Sequence, residues 1–222
     1  YAAGARVGNV VYLAGEDGKI LRKLTDHPGY DAEATVNWRS GKIVWTALRD
    51  GDLDLYAMDL EGNKQKRLTT RAGYDGGAFY SHDGKRLVWR AHYPAGAAAL
   101  ADYRSRLAEN LTTPMKMELL LADAAGRKPR QITSFGCASF APSFTPDGRQ
   151  IIFASNKQRC DSRFFELFLA NTDGTGLEQV TFSGGFNSFP VFSPDGRKLL
   201  FISDRNAKER FEFNVFIADW EP

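Results

Sequence analysis

Four loops along the chain carry residue types that could bind a ligand. Three of them place an aromatic residue between a glycine and an Asp or Asn, and the fourth reads Gly136-Cys137-Ala138. Aromatic rings beside carboxylate or amide groups can capture a peptide, a cationic side chain or a small ligand. With Glu33, which adds a carboxylate near the first loop, the candidate binding residues are Tyr30, Asp31, Tyr74, Asp75, Phe186 and Asn187.

The same pattern also has a purely structural interpretation. Aromatic side chains can wedge between neighbouring structural units, and short Asp or Asn side chains often accept hydrogen bonds from loop amides. Substitution of Asp31 and Asp75 by alanine separates the two interpretations, because only the binding interpretation predicts a loss of partner affinity.

The sequence does not gather residues for catalysis or for metal binding. It contains no GxSxG motif, no phosphate-binding P-loop and no Ser/His/Asp set at repeating positions. The histidines His27, His82 and His92 are scattered, and two cysteines are too few for a structural zinc site. We therefore expect no catalytic residue, no metal and no cofactor.

The composition limits the classes of partner. Lys and Arg number 29 and Asp and Glu number 27, so the net charge of +2 lacks the basic excess expected for nucleic acid binding. No apolar run approaches the roughly 20 residues that a membrane-spanning helix needs. The first residues include neither a Met nor an apolar signal region, so we expect a mature product or a fragment.

A repeated turn and strand organise the chain. Each turn precedes a short run of aliphatic and aromatic residues, and the four copies lie at 37–45, 80–89, 144–153 and 192–201. Repeats of this length that contain strands and turns are typical of a β-propeller, whose blades are four-stranded antiparallel sheets. The chain is therefore predicted to be all-β.

The repeats divide the chain into blades of unequal completeness. We predict whole blades at 30–70, 74–134 and 138–182, preceded by two outer strands at 8–25 and followed by a blade at 186–219 that lacks its fourth strand. The whole chain, 1–222, is then one propeller domain or the C-terminal portion of a larger one, and a closed four-bladed ring is the alternative. Because open ends expose apolar blade faces, we expect self-association through them.

An insertion at 94–114 interrupts the second whole blade. Its alanine-rich start favours a helix, and apolar residues from Leu100 to Leu111 recur at helical spacing. We predict a short helix on the same face as the aromatic loops, partly covering the mouth of the channel. It is either a lid or partner-docking element, with Arg104 and Arg106 as exposed contacts, or a segment that only packs on the propeller.

Cys137 and Cys160 fall in two loops of one blade that the fold places on the same face. A disulfide between them would agree with an oxidising compartment. Two free thiols are the alternative, because a bridge requires Cα atoms within about 7 Å of each other. Thiol titration with and without reductant distinguishes the two states.

The segments Phe144–Lys157 and Phe192–Arg205 resemble the repeat of the TolB-like β-propeller family, also called the WD40-like PD40 repeat. Both contain Phe-Thr/Ser-Pro-Asp-Gly-Arg, an apolar strand and a final Ser-Asn-Lys or Ser-Asp-Arg. The resemblance covers nearly the whole chain. Two copies depart from the pattern, because the turn at 38–41 is one residue short without Pro-Asp and His82 replaces the proline.

This resemblance implies a bacterial propeller, periplasmic or secreted and usually six-bladed, that binds proteins without catalysis. Related propellers also accompany prolyl-oligopeptidase-type and other peptidase domains. We therefore expect a protein or peptide partner at the loop-rich face. The alternatives are a regulatory or substrate-gating propeller of a larger hydrolase and a site for a sugar or other small molecule at the channel mouth, because one fold hosts many functions.

Overall fold

The computed structural model describes residues 3–4, 9–112 and 116–221, and antiparallel β-strands dominate it. One helix, α1 (Gly96–Ala108), separates the ninth strand from the tenth. The strands are β1 (Ala3–Gly4), β2 (Tyr12–Ala14), β3 (Ile20–Lys23), β4 (Asp31–Asn37), β5 (Lys42–Arg49), β6 (Asp52–Asp59), β7 (Lys66–Arg67), β8 (Tyr74–Tyr80), β9 (Arg86–His92), β10 (Leu111–Thr112), β11 (Glu118–Asp123), β12 (Arg130–Gln131), β13 (Ser139–Phe144), β14 (Gln150–Ser155), β15 (Glu166–Asn171), β16 (Glu178–Gln179), β17 (Asn187–Phe192), β18 (Lys198–Ser203) and β19 (Asn214–Asp219).

Successive strands form blades. Blade 1 contains β4 to β7, blade 2 contains β8, β9, β11 and β12, and blade 3 contains β13 to β16. Blade 4 contains β17, β18 and β19, and the hairpin β2–β3 precedes blade 1. The predicted all-β propeller of four-stranded antiparallel blades with one short inserted helix is therefore confirmed, and a ring of six blades stays a prediction. Strand β1 pairs with β10, so it joins the insertion.

Apolar side chains between neighbouring blades form the core. Leu55 of blade 1 and Trp89 of blade 2 belong to one buried cluster, and Leu119 of blade 2 and Phe153 of blade 3 belong to another. Burying such a side chain contributes about 1.5–3 kcal/mol. The middle strands read as continuous apolar runs because neighbouring blades cover both of their faces.

The first strand of every blade carries a bulge near its start. Glu33, Gly77, Ala141 and Phe189 have left-handed backbones, with φ of 56°, 60°, 49° and 53°. The pairing register with the second strand shifts at each position, and such bulges re-aim nearby side chains. Position 77 also favours glycine, because a Cβ atom there would lie 1.9 Å from Nη1 of Arg90.

Neighbouring blades are also tied by main-chain hydrogen bonds at one point each. There the start of a third strand runs parallel to the first strand of the next blade. The N–H of Ser139 donates to the carbonyl of Met117 at 2.8 Å, and the N–H of Asn187 donates to the carbonyl of Phe165 at 2.8 Å. We call these contacts the inter-blade bridges; the paired residues are Leu53–Tyr74, Met117–Ala138 and Phe165–Phe186.

In the Asp-Gly turns between first and second strands, the Asp carboxylate accepts hydrogen bonds from groups of its own turn. The Asp147 carboxylate accepts from the Arg149 N–H at 3.0 Å and the Thr145 hydroxyl at 2.7 Å, and the backbone bond lowers the pKa of Asp147. Asp83 and Asp195 form the same contacts in blades 2 and 4. These carboxylates hold the turns at one end of the propeller.

Both ends of the blade array expose apolar side chains. On blade 4, Val215 and Ile217 are 64% and 67% exposed. The residues at the same positions of blade 3, Leu167 and Leu169, are buried in a cluster with blade 4. In the β2–β3 hairpin, Tyr12 is also exposed. The apolar face of blade 4 is therefore uncovered in the part of the chain that the structure describes.

Candidate functional site

The end of the propeller opposite the Asp-Gly turns is its loop-rich face. It comprises the loops that lead into each blade and the connections between second and third strands. Three of these connections are long: the insertion with α1, the segment 156–165 of blade 3 and the segment 204–213 of blade 4. All candidate binding residues lie on this face or directly beneath it.

Helix α1 packs on the loop-rich face over blades 1 and 2. Its buried residue Tyr103 clusters with Leu53 and donates its hydroxyl hydrogen bond to Asp52 at 2.6 Å. Burial and this hydrogen bond raise the pKa of Tyr103. The helix ends before Leu111, which lies in β10, because Asn110 adopts a left-handed backbone with φ of 57°.

Arg104 and Arg106 are exposed on α1. Nε of Arg106 donates to the Asp102 carboxylate at 2.9 Å. An exposed helical pair of this kind contributes only about 0.3–0.5 kcal/mol, so it leaves the arginine accessible to a competing partner. A binding role for both arginines stays a prediction.

Tyr30 and Tyr74 lie partly buried against the α1 cluster. Burial raises the pKa of Tyr30 to about 12. The Arg90 guanidinium donates to the Tyr74 hydroxyl at 2.5 Å and to the Glu33 carboxylate at 2.6 Å. Burial alone would lower the pKa of Arg90, but Tyr74 and Glu33 raise it, so the guanidinium stays charged. This group links blade 1 to blade 2.

Asp31 is buried inside blade 1. Its Oδ1 accepts from the Trp45 indole at 2.8 Å, and its Oδ2 accepts from Nη2 of Arg49 at 2.9 Å. Only 1% of the surface of Asp31 is exposed. Because its oxygens face Trp45 and Arg49, this group stabilises the blade in the structure.

Asp75 occupies the same position in blade 2 with a different set of partners. Its Oδ1 accepts from the Trp89 indole at 2.6 Å and from the Tyr93 hydroxyl at 2.7 Å. Its Oδ2 is buried without a hydrogen-bond partner among the described residues. Burial raises the pKa of Asp75 to about 7, so the protonated form is well populated near neutral pH.

Asn187 and Phe186 lie at the junction of blades 3 and 4. Nδ2 of Asn187 donates to the Glu166 carboxylate at 2.9 Å, and its Oδ1 accepts from Nη2 of Arg205 at 3.0 Å. The ring of Phe186 lies 5.7 Å from that of Phe165. Of the predicted set, Asp31, Asp75 and Asn187 thus face the protein interior, whereas Tyr30, Tyr74 and Phe186 lie between elements.

Cys137 and Cys160 are joined by a disulfide, with Cα atoms 4.8 Å apart. Asn156 reinforces this link, because its Nδ2 donates to the Cys160 carbonyl and its Oδ1 accepts from the Ala138 N–H. The disulfide therefore tethers the connection 156–165 to the loop that leads into blade 3.

Sequence reasoning missed a buried contact that recurs in the blades. In blade 2, the Thr133 hydroxyl accepts from the Leu119 N–H at 2.9 Å and donates to the Glu118 carboxylate at 2.6 Å. A Thr at the end of the fourth strand and an acid before the third-strand Leu were the available signal. The equivalent threonines and acids are Thr69 with Asp54 and Thr181 with Glu166.

Sequence reasoning also missed three exposed phenylalanines, Phe164, Phe211 and Phe213, on the connections of blades 3 and 4. Their signal in the sequence is the mixture of arginine and phenylalanine at 159–164 and 210–213. Neither segment follows the Gly-aromatic-Asp pattern, so a search for that pattern passes over them.

A cleft of about 510 Å³ lies between the segment that leads into β2 and the first strand of blade 1. Tyr12, Asp31 and Glu33 are among its lining residues. Within residues 3–4, 9–112 and 116–221, no group of three or more His, Cys, Asp or Glu side chains could hold a metal ion. No helix in those ranges is long and apolar enough to cross a membrane.

Comparison with solved structures finds the same fold in several proteins. The chain is similar to TolB from Acinetobacter baumannii, with a TM-score of 0.73 and 19% identity over 95% of this chain and 46% of that one. An oligogalacturonate lyase in complex with manganese gives 0.62 and 17% over 94% and 55%. A chain of the nidogen/laminin complex gives 0.61 and 12% over 91% and 69%.

The chain therefore spans about half the length of the TolB and lyase chains that it matches. At these identities the similarity shows the fold alone. No curated protein sequence matches the chain significantly. The sequence profile of the TolB β-propeller domain, PD40, matches residues 105–216, half of the chain, and the chain thus belongs to the TolB β-propeller family.

Proposed function

We propose that the chain is a non-catalytic propeller that binds a protein or peptide partner through its loop-rich face. One observation carries this proposal, the difference between the two ends of the propeller. The loop-rich face presents three exposed phenylalanines with arginines beside them on long connections, whereas the other end consists of short turns with exposed arginines and the exposed aromatic side chain of Trp38. Aromatic and arginine side chains are enriched at protein interfaces and dominate their energetics.

Two further observations support the proposal. One similar chain belongs to the nidogen/laminin complex, an assembly of proteins. The disulfide between Cys137 and Cys160 suits an oxidising compartment such as the periplasm or the extracellular space. The partner is then a protein of that compartment.

The test is site-specific photo-crosslinking with a photoreactive phenylalanine analogue placed at Arg104, on the loop-rich face. We expect a discrete crosslinked protein from an extract of the source cells, because this position lies on the proposed contact surface. The readout is a shifted band that mass spectrometry identifies.

The matched control places the analogue at Arg149, an exposed residue beside the Asp147 turn at the other end. This variant should give no discrete product. Equal labelling from both positions, or a product from Arg149 alone, would contradict binding at the loop-rich face.

A second candidate function, binding of a sugar or other small molecule, is favoured by the cleft beside Tyr12 and Glu33. The similar lyase makes oligogalacturonate a reasonable probe. Calorimetric titration should detect binding that Tyr12→Ala weakens, since Tyr12 is exposed in the cleft. Absence of heat with the parent chain would exclude oligogalacturonate as the ligand.

A further inference from the structure

Two connections on the loop-rich face form one continuous surface across blades 3 and 4. We propose that this surface binds an acidic segment of the partner, one in which Asp or Glu alternates with apolar residues. The inference rests on the proposed function and names the chemistry of the partner. We call the surface the arginine–phenylalanine surface; its residues are Arg159, Arg163, Phe164, Arg210, Phe211 and Phe213.

The phenylalanines give this surface its apolar character. Phe164, Phe211 and Phe213 are 46%, 59% and 46% exposed. The three exposed rings lie on two neighbouring connections, and exposed apolar surface that is concentrated in one region marks interaction sites on folded proteins. The ring of Phe213 also stands 4.9 Å from that of Phe186, which joins this surface to the core between the blades.

The arginines place positive charge directly on these rings. The Arg159 guanidinium lies 5.3 Å from the Phe164 ring, and that of Arg210 lies 4.8 Å from the Phe211 ring. Arg163, from the other connection, also lies over Phe211, at 5.5 Å. Arg159 and Arg210 are both exposed, and an arginine guanidinium can donate two parallel hydrogen bonds to a carboxylate.

Some of the carboxylates in these connections already accept hydrogen bonds from backbone N–H groups. Oδ1 of Asp204 accepts from the Phe186 N–H at 2.8 Å, and Oε2 of Glu212 accepts from the Lys208 N–H at 2.7 Å. The two connections together hold six Lys or Arg against four Asp or Glu. The exposed charge of the surface is therefore positive and complements an acidic segment.

The surface is held in shape before any partner binds. The disulfide tethers Cys160, and with it the connection that carries Arg159 and Phe164, to Cys137. Phe211 adopts a left-handed backbone with φ of 68°, which is rare for a bulky residue. Strained conformations of this kind cluster at functional sites. A preformed surface loses less conformational entropy on binding.

The charge pattern favours a peptide over a polyanion. Arginines already lie on faces of Phe164 and Phe211, so these faces are less open to a base or a sugar ring. Asp161 and Glu209 stand among the arginines, and they would repel the unbroken charge of a nucleic acid or a polyuronate. A segment of mixed acidic and apolar residues meets both features.

Selection of a phage-displayed random peptide library on the whole chain tests the inference. We expect the selected peptides to be rich in Asp and Glu beside apolar residues. Synthetic copies should bind the Arg159→Glu/Arg210→Glu variant at least about tenfold more weakly, because each reversed charge repels the acidic segment. Binding is measured by fluorescence anisotropy at low and high salt, and salt should weaken it.

The matched control is the Arg149→Glu/Arg197→Glu variant, which reverses two exposed charges at the other end of the propeller and should bind the peptides like the parent. Unchanged melting temperature shows that both variants fold. Selected peptides without acidic enrichment, or equally strong binding to Arg159→Glu/Arg210→Glu, would overturn the inference while the proposed function stands. Failure to select any peptide overturns the inference, whereas the proposed function is decided separately by crosslinking at Arg104. Preferential binding of single-stranded DNA or polygalacturonate that is lost in the same variant would also overturn the acidic-segment assignment.

Discussion

A single side chain at the start of each first strand determines how a buried hydrogen-bond network closes. In blade 1 both oxygens of Asp31 have donors, because Arg49 reaches Oδ2. In blade 4 the position holds Asn187, whose amide donates to a carboxylate. In blade 2 the residue at the position of Arg49 is Tyr93, and it donates to the already paired Oδ1 of Asp75. One oxygen of Asp75 is left without a donor.

Replacement of Asp75 by asparagine should therefore stabilise the chain. The amide keeps an oxygen for Trp89 and Tyr93 and removes the buried charge, as Asn187 does in blade 4. We expect a gain of about 1–2 kcal/mol in the free energy of unfolding at pH 8, measured by urea denaturation. In contrast, Asp31→Asn breaks the pair with Arg49 and should cost about 3 kcal/mol. Equal effects of the two substitutions would contradict these separate roles.

The same carboxyl group predicts a pH dependence of stability. Burial raises the pKa of Asp75 to about 7 and that of Asp54 to about 6. Both values exceed those of the unfolded chain, so the folded chain holds protons that the unfolded chain releases. The protons bound by Asp75 and Asp54 therefore stabilise the folded chain fully below about pH 4, and this stabilisation is lost as the pH rises through about 6 and about 7. Urea denaturation from pH 5 to pH 8 should show a smaller decrease for Asp75→Asn than for the parent.

Within blade 2, the hydroxyl of Thr133 links the third strand to the segment that directly follows the fourth. Thr133→Val keeps the shape but leaves the buried Leu119 N–H without an acceptor, which should cost about 1–3 kcal/mol in urea denaturation. Thr133→Ser keeps the hydroxyl that also donates to Glu118 and should cost less. A valine variant as stable as the serine variant would show that the hydroxyl contributes little.

The strands were predictable because their signals are local. The turn Thr145-Pro146-Asp147-Gly148 and the apolar run after it specify a hairpin without reference to the rest of the chain. The direction of the Asp31 carboxylate was not predictable, since it depends on Trp45 and Arg49 on the neighbouring strand. The arginine–phenylalanine surface likewise requires two connections from different blades, which only the assembled fold brings together.

The uncovered face of blade 4 is expected to make the whole chain self-associate. Val215 and Ile217 are exposed where blade 3 has buried leucines, and burying each contributes on the order of 1.5 kcal/mol. The Val215→Lys/Ile217→Lys variant should therefore shift the chain toward the monomer in sedimentation equilibrium. Lysine at Ala125, in an exposed turn of blade 2, is the control and should leave the distribution unchanged.

Two of the inter-blade bridges contain a backbone amide whose hydrogen exchange measures the separation of the two neighbouring blades. The N–H of Ser139 bonds only across the junction of blades 2 and 3 to Met117, and the N–H of Asn187 across the next junction to Phe165. Hydrogen exchange at these two amides measures the separation of neighbouring blades, whereas amides between strands of one blade measure the unfolding of that blade. Exchange rates at the two junctions would show whether the propeller opens one blade at a time or as a single cooperative unit.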